Sequence, residues 1–147
     1  MCINKFIAYS DASVRDSEGY ISFVIFDSEQ KQIYSYGAKV RLTCSYTLEK
    51  LALALTIEKV DSLGIDKKDI EIITDVKGIY NNLQKSKENK MNRQFRLFFN
   101  EKSDRIFRTF KSCVKFANRR WNKAHELSRV DYKNYFDFNR AKIFLWL

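Results

Sequence analysis

Between Val40 and Ser45 the apolar pattern of this 147-residue chain changes period, and no other feature restricts its fold as much. Before that point three stretches dense in aromatic and β-branched residues follow at short intervals: residues 3–10, Tyr20 to Phe26 and Gln32 to Val40. Such stretches read as strands. Asp16-Ser17-Glu18-Gly19 and Asp27-Ser28-Glu29-Gln30 leave room only for turns between them, so the three form an antiparallel meander. Tyr20 to Phe26 is almost continuously apolar, as expected of a strand buried on both faces.

After that point the period is helical. Ser45 and Thr47 are candidate N-caps of a helix that runs to Leu63 and stops at Gly64. Its middle, Leu51-Ala52-Leu53-Ala54-Leu55, is apolar almost all round and predicts burial against the sheet. Glu71 to Thr74 is a short strand, and the helix before it implies a parallel pairing with an earlier strand. Asp75 to Leu83 reads as a second helix, and residues 84–92 as a loop. From Arg93 to Lys111, Phe95, Phe99, Ile106 and Phe110 recur at helical spacing with Phe98 and Phe107 beside them. Arg96, Arg105, Arg108 and Lys111 fall off that stripe, which predicts a basic amphipathic helix with the phenylalanines in the core. Ser112 to Phe116 is a fifth strand. A last helix starts near Asn122 and extends past Phe136. With no repeat, linker or low-complexity tract, residues 1–147 read as a single domain with the order βββαβααβα.

Composition excludes several classes. With 45% hydrophobic residues, no proline and four glycines, the chain is neither disordered nor loop-dominated. Cys2, Cys44 and Cys113 are odd in number and far apart, which argues against a disulfide framework or zinc cage and for a reducing compartment. Neither a signal-peptide core nor a membrane span is expected, so a soluble cytoplasmic protein is predicted. Charge is uneven: residues 1–84 carry net −2 and residues 85–147 net +11, for +9 in all. A basic second half points to a polyanionic partner, against the plainer reading of a solvated surface.

Three carboxylates stand among apolar residues. Asp11 lies near the end of the first strand, Glu49 inside the apolar helix, and Asp75 at the end of the fourth strand. An acid in such surroundings needs a cation or a hydrogen-bonding partner. Singly, a turn cap for Asp11, a helix cap for Asp75 and a surface place for Glu49 each suffice. Jointly, if the first and fourth strands are parallel neighbours, Asp11 and Asp75 emerge side by side and Glu49 reaches the same point. Three carboxylates there call for a divalent cation with a taste for hard oxygen ligands, magnesium or manganese.

In these motifs the chain resembles the type 1 ribonuclease H superfamily. The likeness spans roughly residues 3–129 and rests on Ser10-Asp11-Ala12-Ser13, Glu49-Lys50-Leu51-Ala52-Leu53-Ala54-Leu55, Thr74-Asp75-Val76-Lys77-Gly78-Ile79 and Ala124-His125-Glu126-Leu127-Ser128-Arg129. Glu49 follows Asp11 by 38 residues, a typical family separation. The chain departs from the pattern in having Ala12 where glycine is usual and His125 where a fourth acid is common. The resemblance implies an α/β, ribonuclease H-like fold: a five-stranded mixed sheet, three strands antiparallel plus two parallel, with helices on both faces. Residues 130–147 are then a family-atypical extension, covering the sheet edge or making a dimer contact; the chain otherwise reads as a monomer.

The resemblance further implies an endonuclease that cuts the RNA strand of RNA–DNA hybrids with two Mg2+ or Mn2+ ions. Asp11 would bridge the ions, Glu49 and Asp75 would each complete one side, and His125 would hold the second ion weakly or assist product departure. Substrate phosphates fall to Arg93, Arg96, Arg105, Arg108, Lys111, Lys115, Arg119, Arg120 and Lys123, with Ser13 near a 2′-hydroxyl. Trp121 reads as core, with stacking on a sugar or base as the lesser alternative. A non-catalytic RNA- or hybrid-binding module on the same fold competes with the nuclease, and so does a nuclease of another substrate. Because imidazole is softer than carboxylate, cleavage is expected to favour Mn2+ over Mg2+, and His125→Asp to shrink that preference. Rates with each metal check this; equal rates, unchanged in the variant, would contradict it.

Overall fold

The computed structural model of the chain describes residues 5–85 and 101–136. Arg93, Arg96, Phe95, Phe98, Phe99, most of the expected 84–92 loop and residues 137–147 lie outside them. The described elements are β1 (Phe6–Arg15), β2 (Glu18–Phe26), β3 (Gln32–Val40), α1 (Ser45–Ser62), β4 (Ile70–Thr74), α2 (Lys77–Lys85), α3 (Glu101–Phe110), β5 (Val114–Phe116) and a short α4 (His125–Ser128). Their order is the expected one. They build one five-stranded sheet, β3-β2-β1-β4-β5, in which the first three strands are antiparallel and β4 and β5 run parallel to β1.

β1 is longer than its apolar run, because its partner carries it on. A two-residue turn, Asp16-Ser17, joins β1 to β2, and both residues are left-handed (φ 52° and 64°), the conformation that matches the twist of a tight hairpin. The ladder therefore extends to Arg15 opposite Glu18, and Asp11 sits inside the strand rather than near its end. Residues Gly19 to Ile25 of β2 are all buried, as the unbroken apolar run predicts. Alternation along β1 divides its side chains between faces. Ala8 and Ala12 join the core with α1, whose Leu48, Leu51, Leu53, Ile57 and Val60 are buried. Tyr9, Asp11 and Ser13 face the other way, toward Lys123, His125 and Ser128 of the C-terminal segment. α1 is buried all round because α3 covers the side turned away from the sheet. Among the described residues, no helix is long and apolar enough to cross a membrane.

Several boundaries differ from expectation. Cys44, not Ser45 or Thr47, takes the N-cap position of α1; both expected caps lie within its first turn. Asp75 and Val76 connect β4 to α2 instead of opening the helix, with the Thr74 hydroxyl accepting from the Val76 amide. Ser112 and Cys113 belong to a 3₁₀ turn, and the Cys113 thiol donates to the Lys67 carbonyl at 3.0 Å.

The largest difference is the last helix, which stops at Ser128 instead of running past Phe136. Arg15 donates to the carbonyls of Ser128 (3.1 Å) and Val130 (3.0 Å) and pairs with Asp131 (2.8 Å), which draws the chain out of helical register. The following segment spends its backbone groups on the open edge of β3: Lys39 N–H donates to the Asn134 carbonyl and Phe136 N–H to the Lys39 carbonyl. An unpaired sheet edge is a hazard, and this strap covers part of it. Tyr132 lies so close over Gly37 that a Cβ there would collide with the Cζ and hydroxyl of Tyr132. Gly37→Ala is therefore expected to destabilise the protein by about 1–3 kcal/mol, and by much less in a Tyr132→Ala background. Urea denaturation of the two single variants and the double variant checks this.

Candidate active site at the end of the central parallel strands

β4 ends at Thr74, one residue beyond the pairing of Tyr9 with Ile73, while β1 continues to Arg15. Past that point β1 has a partner only on its β2 side, and a gap opens beside it. Open α/β sheets bind ligands in such gaps, outside the carboxyl ends of the strands where strand direction changes. Ser10 to Ala12 line the gap from β1, and Asp75 enters it as the first residue after β4. Glu49, in the first turns of α1, reaches in from the helix side, and its Oε1 accepts from the Ala12 amide at 3.1 Å. That amide would otherwise be an orphan of the shortened ladder. Ala12 pairs regularly with Ile21, so a glycine's freedom is not needed at this position.

Asp11, Glu49 and Asp75 thus converge: one carboxylate oxygen from each lies within 4.8 Å of the others. Asp11 is 1% exposed and Glu49 7%. Asp11 Oδ1 and Glu49 Oε2 are buried and accept no hydrogen bond from the described residues. Buried acceptors facing a concentration of negative charge require either a proton or a cation. Burial first, then the charges of Asp11 and Asp75, push the Glu49 carboxyl up to about 9. Burial and Asp11 also raise Asp75, against the opposing influence of Asn122, Arg119 and His125. The donor set is all hard oxygen, which suits Mg2+ or Mn2+.

Around these acids stand groups that hold Asp11 and Asp75 in place. Ser128, fully buried, places its hydroxyl 2.9 Å from Asp11 Oδ2. His125 Nδ1 lies 3.1 Å from the same oxygen, so the imidazole borders the acidic cluster through Asp11. The Ser13 hydroxyl donates to the Ser128 carbonyl and ties α4 to β1. Asn122 donates from Nδ2 to the Ser10 carbonyl (2.8 Å) and to Asp75 Oδ2 (3.1 Å), clamping the fourth strand's acid to the first strand. Neither Ser128 nor Asn122 was singled out above as a site residue. The one sequence signal for both is their place on either side of Ala124-His125, a polar residue each in a segment that must pack on Asp11.

The expected phosphate-binding residues are not brought to one place. Arg119, Arg120 and Lys123 are exposed on the segment leading from β5 to α4, and Arg119 is near enough to Asp75 to lower its pKa. Lys115 is exposed on β5. Lys111 opens the turn before β5, at the end of the sheet where β4 begins, so the length of β4, roughly 13 Å, separates its backbone from the acids. Arg105 is exposed and Arg108 half-buried on α3. Arg93 and Arg96 lie outside the described residues.

No protein-family model matches the chain, and no curated protein does. Solved structures do. LC11-RNase H1, isolated from compost by a metagenomic approach, is 24% identical with a TM-score of 0.64 over 85% of this chain and 93% of that one. The same enzyme in complex with an RNA/DNA hybrid matches with a TM-score of 0.60 at 21% identity, over 81% of this chain and 89% of that one. The N-terminal RNase H domain of a Mycobacterium tuberculosis protein, fused to maltose-binding protein, matches with a TM-score of 0.61 at 12% identity, over 81% and 86%. The chain has the ribonuclease H-like fold.

A raised carboxyl pKa links stability to pH. The folded protein keeps a proton on Glu49 that the unfolded chain releases near 4.5. The associated stability is complete below about 4.5 and is lost as pH rises through about 9, with Asp75 acting in the same sense. In chelator the expected loss is about 3 kcal/mol by neutral pH. Mn2+ or Mg2+ is expected to restore it, and Glu49→Gln to flatten the pH profile and remove the metal response. Thermal unfolding across that pH range, with chelator and with metal, measures both.

Proposed function

We propose that the protein is a metal-dependent endonuclease that hydrolyses the RNA strand of RNA–DNA hybrids. One observation carries this reading: three carboxylates from β1, α1 and the end of β4 meet within 4.8 Å, and two of their buried oxygens have no donor among the described residues. Asp11, Glu49 and Asp75 would together hold a pair of divalent ions. Such ions, when bound, stabilise the attacking and leaving oxygens of an in-line phosphoryl displacement. Asn122 and Ser128 hold Asp75 and Asp11 in the arrangement this requires. His125, partly exposed beside Asp11 Oδ2, would be a weak fourth ligand or would orient water and help the cleaved strand leave.

The substrate class follows from the surroundings and from the kinship in fold. Arg119, close enough to act on Asp75, and Arg120 and Lys123, exposed on the same segment, offer sequence-independent phosphate contacts, and Lys115 extends them along β5. Hybrid recognition is supported by the LC11-RNase H1 complex, a protein of the same fold bound to an RNA/DNA hybrid. Ser13, whose hydroxyl hydrogen is taken by Ser128, keeps its acceptor lone pairs for a 2′-hydroxyl.

A second reading has its own support, namely the imidazole beside Asp11 where the family commonly carries a carboxylate: the fold would bind hybrids without cutting them. Labelled RNA–DNA hybrid, RNA duplex and DNA duplex, each with Mg2+, Mn2+ or chelator, separate the two. Metal-dependent cleavage confined to the hybrid's RNA strand, reduced about 100-fold or more by Asp75→Asn, is the expected result. Tight binding with no cleavage by either metal selects the second reading.

A further inference from the structure

Trp121 departs from the core position that its aromatic character predicts: 65% of it is exposed, more than any other large hydrophobic residue among those described. It is not on a loose loop. The Trp121 amide donates to the Asn118 carbonyl and the Asn122 amide to the Arg119 carbonyl, both at 2.9 Å, while Asn118 Oδ1 accepts from the Arg120 amide. Just before this turn the Ala117 amide donates to the carbonyl of Thr74, the last residue of β4. Just after it comes Asn122, 5% exposed, whose side chain grips the Ser10 carbonyl and Asp75 and accepts from the Ala124 amide at 2.9 Å. A rigid turn, anchored at both ends to the strands that carry Asp11 and Asp75, therefore holds an indole out into water one residue from the acids' own clamp.

An exposed indole on an anchored turn offers a large, rigid contact face with a polar N–H at little entropic cost, and the neighbours of Trp121 point to the chemistry that would meet it. Arg119 and Arg120 precede it, both exposed, with the Arg120 guanidinium 5.3 Å from the indole centroid, while Lys123 turns its ammonium to Phe26 and Tyr9. An apolar face among cations matches a sugar flanked by phosphates. In a paired duplex the bases are stacked inside, and the shallow minor groove presents sugar rings. The turn's backbone is already ordered, so little conformational entropy is lost on contact.

Resting on the nuclease reading above, we infer that Trp121 is a substrate-positioning residue whose indole packs on a sugar of the nucleic-acid strand next to the phosphate held at Asp11, Glu49 and Asp75, with Arg119 and Arg120 on the adjoining phosphates. This contact sets the register of the strand over the acids.

The full chain carrying Glu49→Gln, which blocks cleavage without touching the turn, tests this by hybrid binding. The second of the chain's two tryptophans is removed by Trp146→Phe, so fluorescence reports Trp121 alone. Hybrid binding is expected to change that emission. Trp121→Ala is expected to weaken binding about 10-fold, Trp121→Phe to keep most of the affinity, and neither to alter the dependence of affinity on salt. Arg120→Ala, in contrast, is expected to lower the salt slope by about 1. Unchanged emission with full affinity in Trp121→Ala overturns the inference and leaves the nuclease reading standing. A larger emission change with single-stranded oligonucleotide than with hybrid overturns the assignment to a sugar. No hybrid binding by Glu49→Gln and no cleavage by the unaltered protein removes the nuclease reading and the inference with it.

Discussion

Three carboxyl groups held together at the point where β4 stops beside β1 are the condition around which the rest of this protein is arranged. Like charges in a low-dielectric setting repel strongly, and none of the three side chains would choose this place alone. The sheet puts Asp11 and Asp75 there because Asp75 immediately follows a strand whose ladder with β1 ends one residue earlier. The helix adds Glu49 because its first turns lie over the gap, where its carboxylate satisfies the Ala12 amide. Folding energy from the large apolar interface between α1 and the sheet offsets the repulsion, and the rising Glu49 pKa is the trace of that opposition. A bound divalent cation would relieve the same tension, which would make metal affinity and native stability two aspects of one electrostatic problem.

The C-terminal segment makes that problem tractable. α4 is only four residues long, yet it carries Ser128 and His125 onto one oxygen of Asp11. Its position depends on contacts outside the site: Ser13 and Arg15 on its terminal carbonyls, Ser22 on the Ala124 carbonyl, and the strap from Tyr132 to Phe136 against β3. A mutation at the sheet edge, such as one that dislodges Tyr132 from Gly37, therefore acts on the acids through α4 without touching them. The turn Asn118–Trp121 has the corresponding role on the β4 side, where Asn122 joins the two acid-bearing strands and the turn holds an indole and two arginines exposed beside them.

Much of this was legible from residue patterns. The period-two stretches, the all-round apolar helix and the short fourth strand fix the element order because strands and helices demand different spacings of apolar side chains. Asp11, Glu49 and Asp75 stand out as acids among apolar residues, and their joint occurrence, given parallel first and fourth strands, pointed to one cluster before any contact was known. The last helix misled because Asn122 to Phe136 has nothing locally that forbids a helix. What ends it is Arg15, more than 110 residues away, and the vacant edge of β3. Trp121 misled for a similar reason: aromatic residues are usually buried, and only the anchoring of its turn by Asn122 and Thr74 shows that this one is held outside. Lys111 and Arg119 look equivalent in sequence, yet the parallel strands β4 and β5 place them at opposite ends of the sheet.

By itself the sequence determined which residues carry charge among apolar neighbours, where the hydrophobic period changes, and hence the fold class and the identity of the three acids. Those are properties of composition and local spacing, and they need no knowledge of what lies across the sheet. The tertiary structure decided how near the acids come, which of their oxygens stay without a donor, and that Ser128 and Asn122 hold them there. Those are differences of a few ångströms, set by ladder register and by where strands end, and register depends on pairing between segments that are distant along the chain.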